Sequence, residues 1–317
     1  RPGPPRCADR TGLPILQMMD DKGNRHIDLH IHSRYSPDGE STPAMLVERC
    51  GNAGITCMAI ADHNTVRGVP EAMAAAAHLG VRCIPAIEID CRWSGMDFHV
   101  LGYGIDHTCS AFNRLGDAYL AQELANNARK LELVNALGFC LSPADMAGVC
   151  GGAYTGESFA EALLKAPRYL SNPLLAPYRS GNVRGDNPYV NFYWDFFARG
   201  KPCYVEIALP TMEEIIGLIH EHGGVAVLAH PGKNLEGHME RLGSLLDEGL
   251  DGIEAFSSYD EEETAKFLYK IACTRDLLAT CGSDYHGKTK PGIRLGGMPC
   301  PLDERVIEKQ LERKKLI

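Results

Sequence analysis

The chain has 317 residues, of which 44% are hydrophobic, and its formal net charge is −9. This length suffices for a large buried core, and α/β barrels of this size often form one domain. The acidic balance argues against long nucleic acids as partners, because binding them depends on many contacts between basic side chains and phosphates. No apolar run approaches the roughly 18 residues of a membrane-spanning helix, so we expect no membrane partner. Nothing in the sequence indicates an oligomeric state.

The first 25 residues include Pro2, Pro4 and Pro5 and are expected to form an irregular leader. They lack the apolar segment of a secretory signal. The 12 cysteines include no C-x-x-C pair, and several lie inside apolar runs. This usage is typical of reduced, buried thiols and predicts a cytoplasmic protein.

The chain up to residue 106 alternates short β-rich runs with helical segments. A first helix is predicted from Thr42-Pro43, a cap followed by a proline in the first turn. An Ala-rich helix follows at 70–78. Strands are predicted at 26–32, 56–61, 81–89 and 98–105.

The pattern changes over 107–200, which we interpret as an inserted, mainly helical, lid-like subdomain. It opens with a long predicted helix at about 110–137 and becomes rich in Gly, Pro, Asn and Tyr afterwards. A dense aromatic run at 189–197 favours the core of this insertion, and a stacking platform for a nucleotide base is the alternative. Glu157 and Arg168 are candidates for lining a lid.

The alternation resumes at residue 211. Helices are predicted at 211–222, 235–248 and 261–274, strands at 225–229, 252–256 and 277–280, and a C-terminal helix at 301–317. Short loops between strands and helices indicate parallel strands with right-handed crossovers. Seven strands of this kind predict an α/β barrel built from 26–106 and 201–300.

Histidines and carboxylates cluster mostly at the ends of the predicted strands, where barrels place their chemistry. Imidazole and carboxylate together suit transition-metal and zinc ions. His-x-His on a strand directs both rings to one face, because side chains alternate with period two. Glu88 lies in an apolar strand, where an unpaired carboxylate is costly. The candidate metal ligands are His30, His32, Asp38, His63, Glu88, His99, His230, Asp284 and His286.

With these motifs the sequence resembles the PHP (polymerase and histidinol phosphatase) family of metal-dependent phosphoesterases. The matching segments are DLHIHS at 28–33, SPDG at 36–39, IADHN at 60–64, Glu88, FHVLG at 98–102, AHPG at 229–232 and GSDYH at 282–286. The resemblance covers about 26–106 and 202–297. It implies a distorted (β/α)7 barrel, and the insertion is similar to that of the small-phosphatase and nucleotide-phosphoesterase branch.

Carried over by position, the family's pattern implies three metal sites. His30, His32, Glu88 and Asp284 would hold the first metal, and Glu88 would bridge to a second held by His99 and His230. Asp38, His63 and His286 would hold a third. Histidinol-phosphatase-like members tend to have His where this chain has Asp38, so the third site is expected to be weaker or only partly filled. Mn²⁺, Fe²⁺ or Zn²⁺ would suit these ligands.

The expected reaction is hydrolysis of phosphate esters, chiefly phosphomonoesters of a small metabolite or nucleotide, by a hydroxide bridging two metals. Asp62 is interpreted as a support for the ligands or a proton shuttle. Candidate substrate-binding residues are Arg34, Tyr35, Lys233, Lys288, Lys290 and Arg294.

Three alternatives remain open. One is phosphodiester cleavage of a cyclic phosphate or short oligonucleotide. Another is a non-catalytic metal-binding regulatory module. The third is an amide-cleaving barrel with a similar His-x-His, for which Glu88 and Asp284-x-His286 fit less well.

Overall fold

The computed structural model describes residues 26–300 and 305–317. The leader predicted for residues 1–25 and the start of the predicted C-terminal helix lie outside these ranges. Within them, no helix is both long enough and apolar enough to cross a bilayer.

Seven strands follow one another around a single sheet in chain order. The two edge strands also meet, because the His32 N–H donates to the Tyr285 carbonyl at 2.9 Å and the Asp284 N–H donates to the His30 carbonyl at 2.8 Å. The sheet is therefore a nearly closed barrel, as predicted. The strands are β1 (Ile27–Ile31), β2 (Cys57–Ile60), β3 (Arg82–Trp93), β4 (Met96–Tyr103), β5 (Val225–Leu228), β6 (Gly252–Ser257) and β7 (Leu278–Gly282).

The prediction of parallel strands throughout is wrong for β4, which runs antiparallel to both β3 and β5. Only Ser94 and Gly95 separate β3 from β4, and both have positive φ angles, of 49° and 80°. Two residues make a hairpin turn but cannot make the crossover that parallel neighbours need. As a result β4 begins at the rim where the parallel strands end, and His99 reaches that rim from the start of its strand.

Most helix boundaries agree with the pattern of caps in the sequence. The Thr42 side chain accepts a hydrogen bond from the Met45 N–H at the start of α1, and Gly80 ends α2 in the left-handed conformation. The helices are α1 (Pro43–Asn52), α2 (Val69–Leu79), α3 (Ser110–Ala136), α4 (Pro143–Ala147), α5 (Gly156–Lys165), α6 (Pro188–Phe196), α7 (Met212–Glu221), α8 (Pro231–Asn234), α9 (Leu242–Leu246), α10 (Glu262–Thr274) and α11 (Arg305–Arg313).

The single helix predicted at 235–248 is wrong. Helix α8 ends just before this range, which itself contains a short 3-10 turn at Met239–Arg241 and then α9. Gly237 lies between α8 and the turn with a φ of 79°, a left-handed conformation that interrupts a right-handed helix.

Phe112, near the start of α3, packs into the barrel core, but hydrophobic residues between 131 and 203 form a separate core. Phe159, Phe192 and Phe197 are its main aromatic members, and the rings of Phe159 and Phe197 stack at 5.4 Å. Part of the aromatic run at 189–197 is thus buried as core, whereas Tyr193 and Trp194 line a cavity.

Helix α3 connects the two rims of the barrel. It starts near the rim where β4 ends, since the Asp106 N–H donates to the His222 carbonyl at 3.0 Å. Farther along, Tyr119 lines the same cavity as Asp90, on the strand that carries Glu88, and burial together with the nearby Asp90 charge raises the pKa of Tyr119. At about 1.5 Å per residue, its 27 residues extend about 40 Å, so the helix brings the insertion to the rim with the predicted ligands.

Candidate metal centre

The predicted metal ligands converge at the rim where the parallel strands end. His30 and His32 come from the end of β1, His63 follows β2, and His230 follows β5. Asp284 follows β7 with a φ of 55°, and His230 has a φ of 27°. Positive φ angles in residues other than glycine are strained and are found preferentially at functional sites.

Glu88 lies at the centre of the cluster and is fully buried. Its Oε2 lies 3.2 Å from the Nε2 atoms of both His30 and His32 and 3.1 Å from His63 Nδ1. Its Oε1 lies 3.0 Å from His99 Nδ1 and 3.1 Å from His230 Nε2. One carboxylate thus touches five imidazoles, the position expected of a group shared between cations.

Four overlapping groups of side chains have ligand atoms within 4.8 Å of one another. Three correspond to the sites that the family resemblance implies, with His32 also joining the third. The fourth contains Asp90, which was not predicted. The groups are His30, His32, Glu88 and Asp284; Glu88, His99 and His230; His32, Asp38, His63 and His286; and His63, Asp90 and His99.

The side chains fit metal ions, because their inward atoms are buried without a hydrogen-bond partner. A buried polar atom left without a partner is costly unless something binds it. These atoms come from distant parts of the chain and face a common centre. They are the Nε2 atoms of His30, His32 and His286, Nδ1 of His63, Oδ1 of Asp38, Asp90 and Asp284, and Oε2 of Glu88.

The other ring nitrogen of several ligands is held by the protein. His30 Nδ1 lies 3.0 Å from Glu254 Oε1, His32 Nδ1 lies 2.9 Å from Ser36 Oγ, and His286 Nδ1 lies 2.8 Å from the Asp284 carbonyl. Such contacts fix the ring orientation and the tautomer, so that the second nitrogen faces the metal.

Asp62 supports this arrangement from behind. Its carboxylate accepts hydrogen bonds from the Ser33 N–H at 2.6 Å, the Ser33 hydroxyl at 2.7 Å and the Ser36 hydroxyl at 3.0 Å. Ser36 in turn contacts His32. With both oxygens occupied in this way, Asp62 matches a supporting role better than a proton shuttle.

The charges in the cluster shift its pKa values strongly. Burial alone would raise the pKa of Glu88, but the imidazoles of His30, His99 and His63 outweigh burial and hold it well below its usual value. For His63, burial acts to lower the pKa, yet Glu88, Asp38 and Asp90 raise it to about 10. His30 also has a raised pKa, because Glu88, Glu254 and Asp284 outweigh its burial. Without bound cations, the imidazoles of His63 and His30 carry protons at pH 7.

We therefore expect metal binding at pH 7 to release protons and to tighten as the pH rises. The raised pKa values mean that protons occupy His63 and His30 well above pH 6.5, and a metal must displace them. Affinity should increase up to about tenfold per pH unit for each proton released. Calorimetric Mn²⁺ titrations between pH 6 and 9, in buffers of different ionisation enthalpy, measure both quantities.

The exposed His238, whose side chain is 57% accessible, provides the control for that titration. The variant His238→Asn should release as many protons as the wild type, and His63→Asn should release fewer. An affinity that stays constant from pH 6 to 9 would contradict the prediction.

The outer oxygen of Asp284 is occupied by two side chains. Lys290 Nζ lies 2.6 Å from Oδ2 and is buried, and the Tyr259 hydroxyl donates to the same atom. Asp284 therefore has Oδ1 left for a cation. Lys290, predicted to bind substrate, lies at the edge of the metal centre.

Four of the other five predicted substrate-binding residues line one or the other of two cavities that meet at Asp38. Lys233 lines the larger, of about 460 Å³. Arg34, Tyr35 and Lys288 line the smaller, of about 340 Å³, where Lys288 Nζ also pairs with Glu161 at 2.8 Å. Arg294 is exposed and lines neither of them.

Two residues of the insertion were predicted to line a lid. Glu157 lines both cavities, whereas Arg168 lines neither and pairs with Asp145 at a distance of 2.8 Å.

Sequence reasoning missed Asp90, Glu254 and Tyr259. Asp90 is two residues after Glu88 on the same strand, so the period of two that relates His30 to His32 would have indicated it. Glu254 lies in the apolar run of β6, where a carboxylate is as costly as Glu88 and therefore equally informative. No comparable signal marks Tyr259.

The sequence matches the family model of the PHP domain over residues 28–168. It is 32% identical over 280 residues to a 3′,5′-nucleoside bisphosphate phosphatase of Chromobacterium violaceum, covering 86% of this chain and 90% of that protein. It is 29% identical to a 5′-3′ exoribonuclease of Haemophilus influenzae, covering 82% and 89%.

Among solved structures, the fold is similar to that of a protein from Bifidobacterium adolescentis proposed to be a metal-dependent phosphoesterase. The TM-score is 0.70 at 27% identity, with 90% of this chain and 96% of the other covered. Together with the nine predicted ligands around one centre, these similarities show that the chain belongs to the PHP family of metal-dependent phosphoesterases.

Proposed function

We propose that the protein hydrolyses a phosphomonoester of a single nucleotide, with two or three divalent metal ions. The main support is the larger cavity, which joins the metal centre to the aromatic side chains of Tyr193, Trp194 and Phe197. Its volume of about 460 Å³ is in the range for one small ligand. The similarity to the nucleoside bisphosphate phosphatase points in the same direction.

Bound metals would supply the nucleophile at neutral pH and neutralise the charge of the phosphoryl oxygens. His30, His32, Glu88 and Asp284 would hold the first ion, and His99 and His230 would share Glu88 around a second. Asp38, His63 and His286 would hold a third. Mixed imidazole and carboxylate ligands favour Mn²⁺, Fe²⁺ or Zn²⁺ over Mg²⁺ alone.

The protein's own residues position the reacting groups. Glu254 and Ser36 hold His30 and His32 in place, so the ligand set is oriented before substrate arrives. The Lys290 ammonium is buried between Asp284 and the cavity, where it can attract a substrate phosphate. Tyr193 and Phe197, from the segment 107–200, add aromatic walls to the cavity.

A second candidate is exonucleolytic cleavage of a short oligonucleotide. The observation that favours it is the smaller cavity, which shares Pro37, Asp38, Thr155 and Glu157 with the larger one. A substrate longer than one nucleotide has a second path away from the metal centre there. The net charge of −9 disfavours long nucleic acids. The cytoplasmic location stays a prediction.

The test compares four substrates on Mn²⁺-loaded protein: a 3′,5′-nucleoside bisphosphate, a 5′-phosphorylated trinucleotide, p-nitrophenyl phosphate and its bis ester. We expect the highest kcat/KM for the bisphosphate, with release of inorganic phosphate. Preferred release of mononucleotides from the trinucleotide would favour the second candidate. A protein that hydrolyses none of the four after metal loading would contradict both.

A further inference from the structure

One face of α3 forms a wall of the larger cavity. Tyr119, Glu123 and Lys130 all line it. Glu123 and Lys130 follow Tyr119 by four and eleven residues, which places all three on the same side of a helix with 3.6 residues per turn. Tyr119 and Asp90, a residue beside the predicted metal ligands, line the same cavity. Glu123 therefore lies one turn farther from the metal centre, at the part of the cavity that the insertion encloses.

Glu123 and Lys130 form an ion pair that is largely withdrawn from water. The two side chains are 7% and 8% accessible and contact each other directly. Lys130 Nζ also donates to the Tyr154 carbonyl at 3.0 Å. Side chains on a helix lean towards its N-terminus, which explains how Lys130 reaches back to a residue seven positions earlier.

Such a pair is expensive to keep for stability alone. Two charges removed from water cost more than an apolar pair of similar size usually would, and the aromatic side chains of Tyr193 and Phe197 line the same cavity. An ammonium has three donors, and Glu123 and Tyr154 use two of Lys130's. The third donor of Lys130 and the unused acceptor positions of Glu123 remain next to each other.

We propose that Lys130 and Glu123 recognise the polar edge of the substrate's base. This inference rests on the proposed nucleotide substrate. The phosphate lies at the metal centre, the aromatic side chains of Tyr193 and Trp194 contact the ring, and the pair at the enclosed end offers a donor beside an acceptor. A nucleobase edge presents the complementary acceptor beside a donor, which a simple phenyl ring lacks.

The test uses Lys130→Met and measures kcat/KM for a purine nucleoside bisphosphate and for p-nitrophenyl phosphate. The expected result is a ten- to hundredfold loss with the bisphosphate, mainly in KM, and a change below twofold with p-nitrophenyl phosphate. Binding of the purine nucleoside alone, followed by calorimetry without metal, should weaken by a similar factor. Lys165→Met, which removes a 61% exposed partner of Glu161 outside the cavity, should change none of these values.

Should Lys130→Met fail to fold, the double variant Glu123→Leu/Lys130→Met leaves no buried charge unpaired, and it should show the same selective loss. An equal loss with both phosphate substrates, or unchanged nucleoside binding, would overturn the inference and make the pair structural. Failure of the wild-type protein to hydrolyse any phosphomonoester would instead overturn the proposed function.

Discussion

Glu88→Gln is expected to lower kcat by about a thousandfold or more and to reduce the number of bound metal ions. Glu88 touches five imidazoles with its two oxygens, and glutamine keeps its shape but not its charge. A neutral amide cannot be shared between two cations, and the lost charge stabilisation is worth several kcal/mol. Metal content by mass spectrometry and the rate with the best substrate measure the two effects.

Glu240→Gln is the matched control, since that side chain is 71% exposed. It should keep the full metal content and the wild-type rate. Thermal unfolding of both variants verifies that they fold. If Glu88→Gln retained full metal content and a rate within threefold of the wild type, Glu88 would not be the shared ligand.

Glu254→Gln is expected to weaken metal binding by roughly ten- to a hundredfold. The Glu254 carboxylate is fully buried; one oxygen lies 3.0 Å from His30 Nδ1 and the other accepts from the His230 N–H at 2.9 Å. It therefore orients one ligand of each of the first two sites without facing the metals itself. Because saturating metal can restore the ligand geometry, kcat at high Mn²⁺ should fall much less than the affinity.

The control for this variant is Glu263→Gln, on the exposed face of α10 with an 87% accessible side chain. Its Mn²⁺ affinity should equal that of the wild type. Equal affinities for Glu254→Gln and the wild type would show that His30 is held in position by β1 alone.

The sequence predicted the barrel and indicated nine candidate metal ligands, because both leave local signals. Four short β-rich runs, those of β1, β2, β5 and β7, lead directly into His or Asp, and the ligand types are restricted by metal chemistry. Strand direction left a weaker signal. Ser94 and Gly95 form the whole connection between β3 and β4, and only this Ser-Gly step distinguishes a hairpin from a longer strand.

Supporting residues could be predicted less well, since their roles depend on distant partners. Glu254 is recognisable as unusual in an apolar strand, but its pairing with His30 spans 224 positions in sequence. The pairing of Glu123 with Lys130 depends on how α3 is rotated against the barrel. That rotation is set by contacts with distant parts of the chain, which no pattern of hydrophobic residues specifies.

A change in the length of helix α3 would change which of its side chains face the cavity, and therefore the specificity of the cavity. Each residue of an α-helix turns the following part by about 100°, so a single deletion between Asp117 and Glu123 is expected to swing Glu123 and Lys130 away from the cavity while leaving the nine predicted metal ligands in place. Relatives that differ in indels within this helix are therefore expected to share the hydrolytic chemistry and to diverge in the molecules they accept.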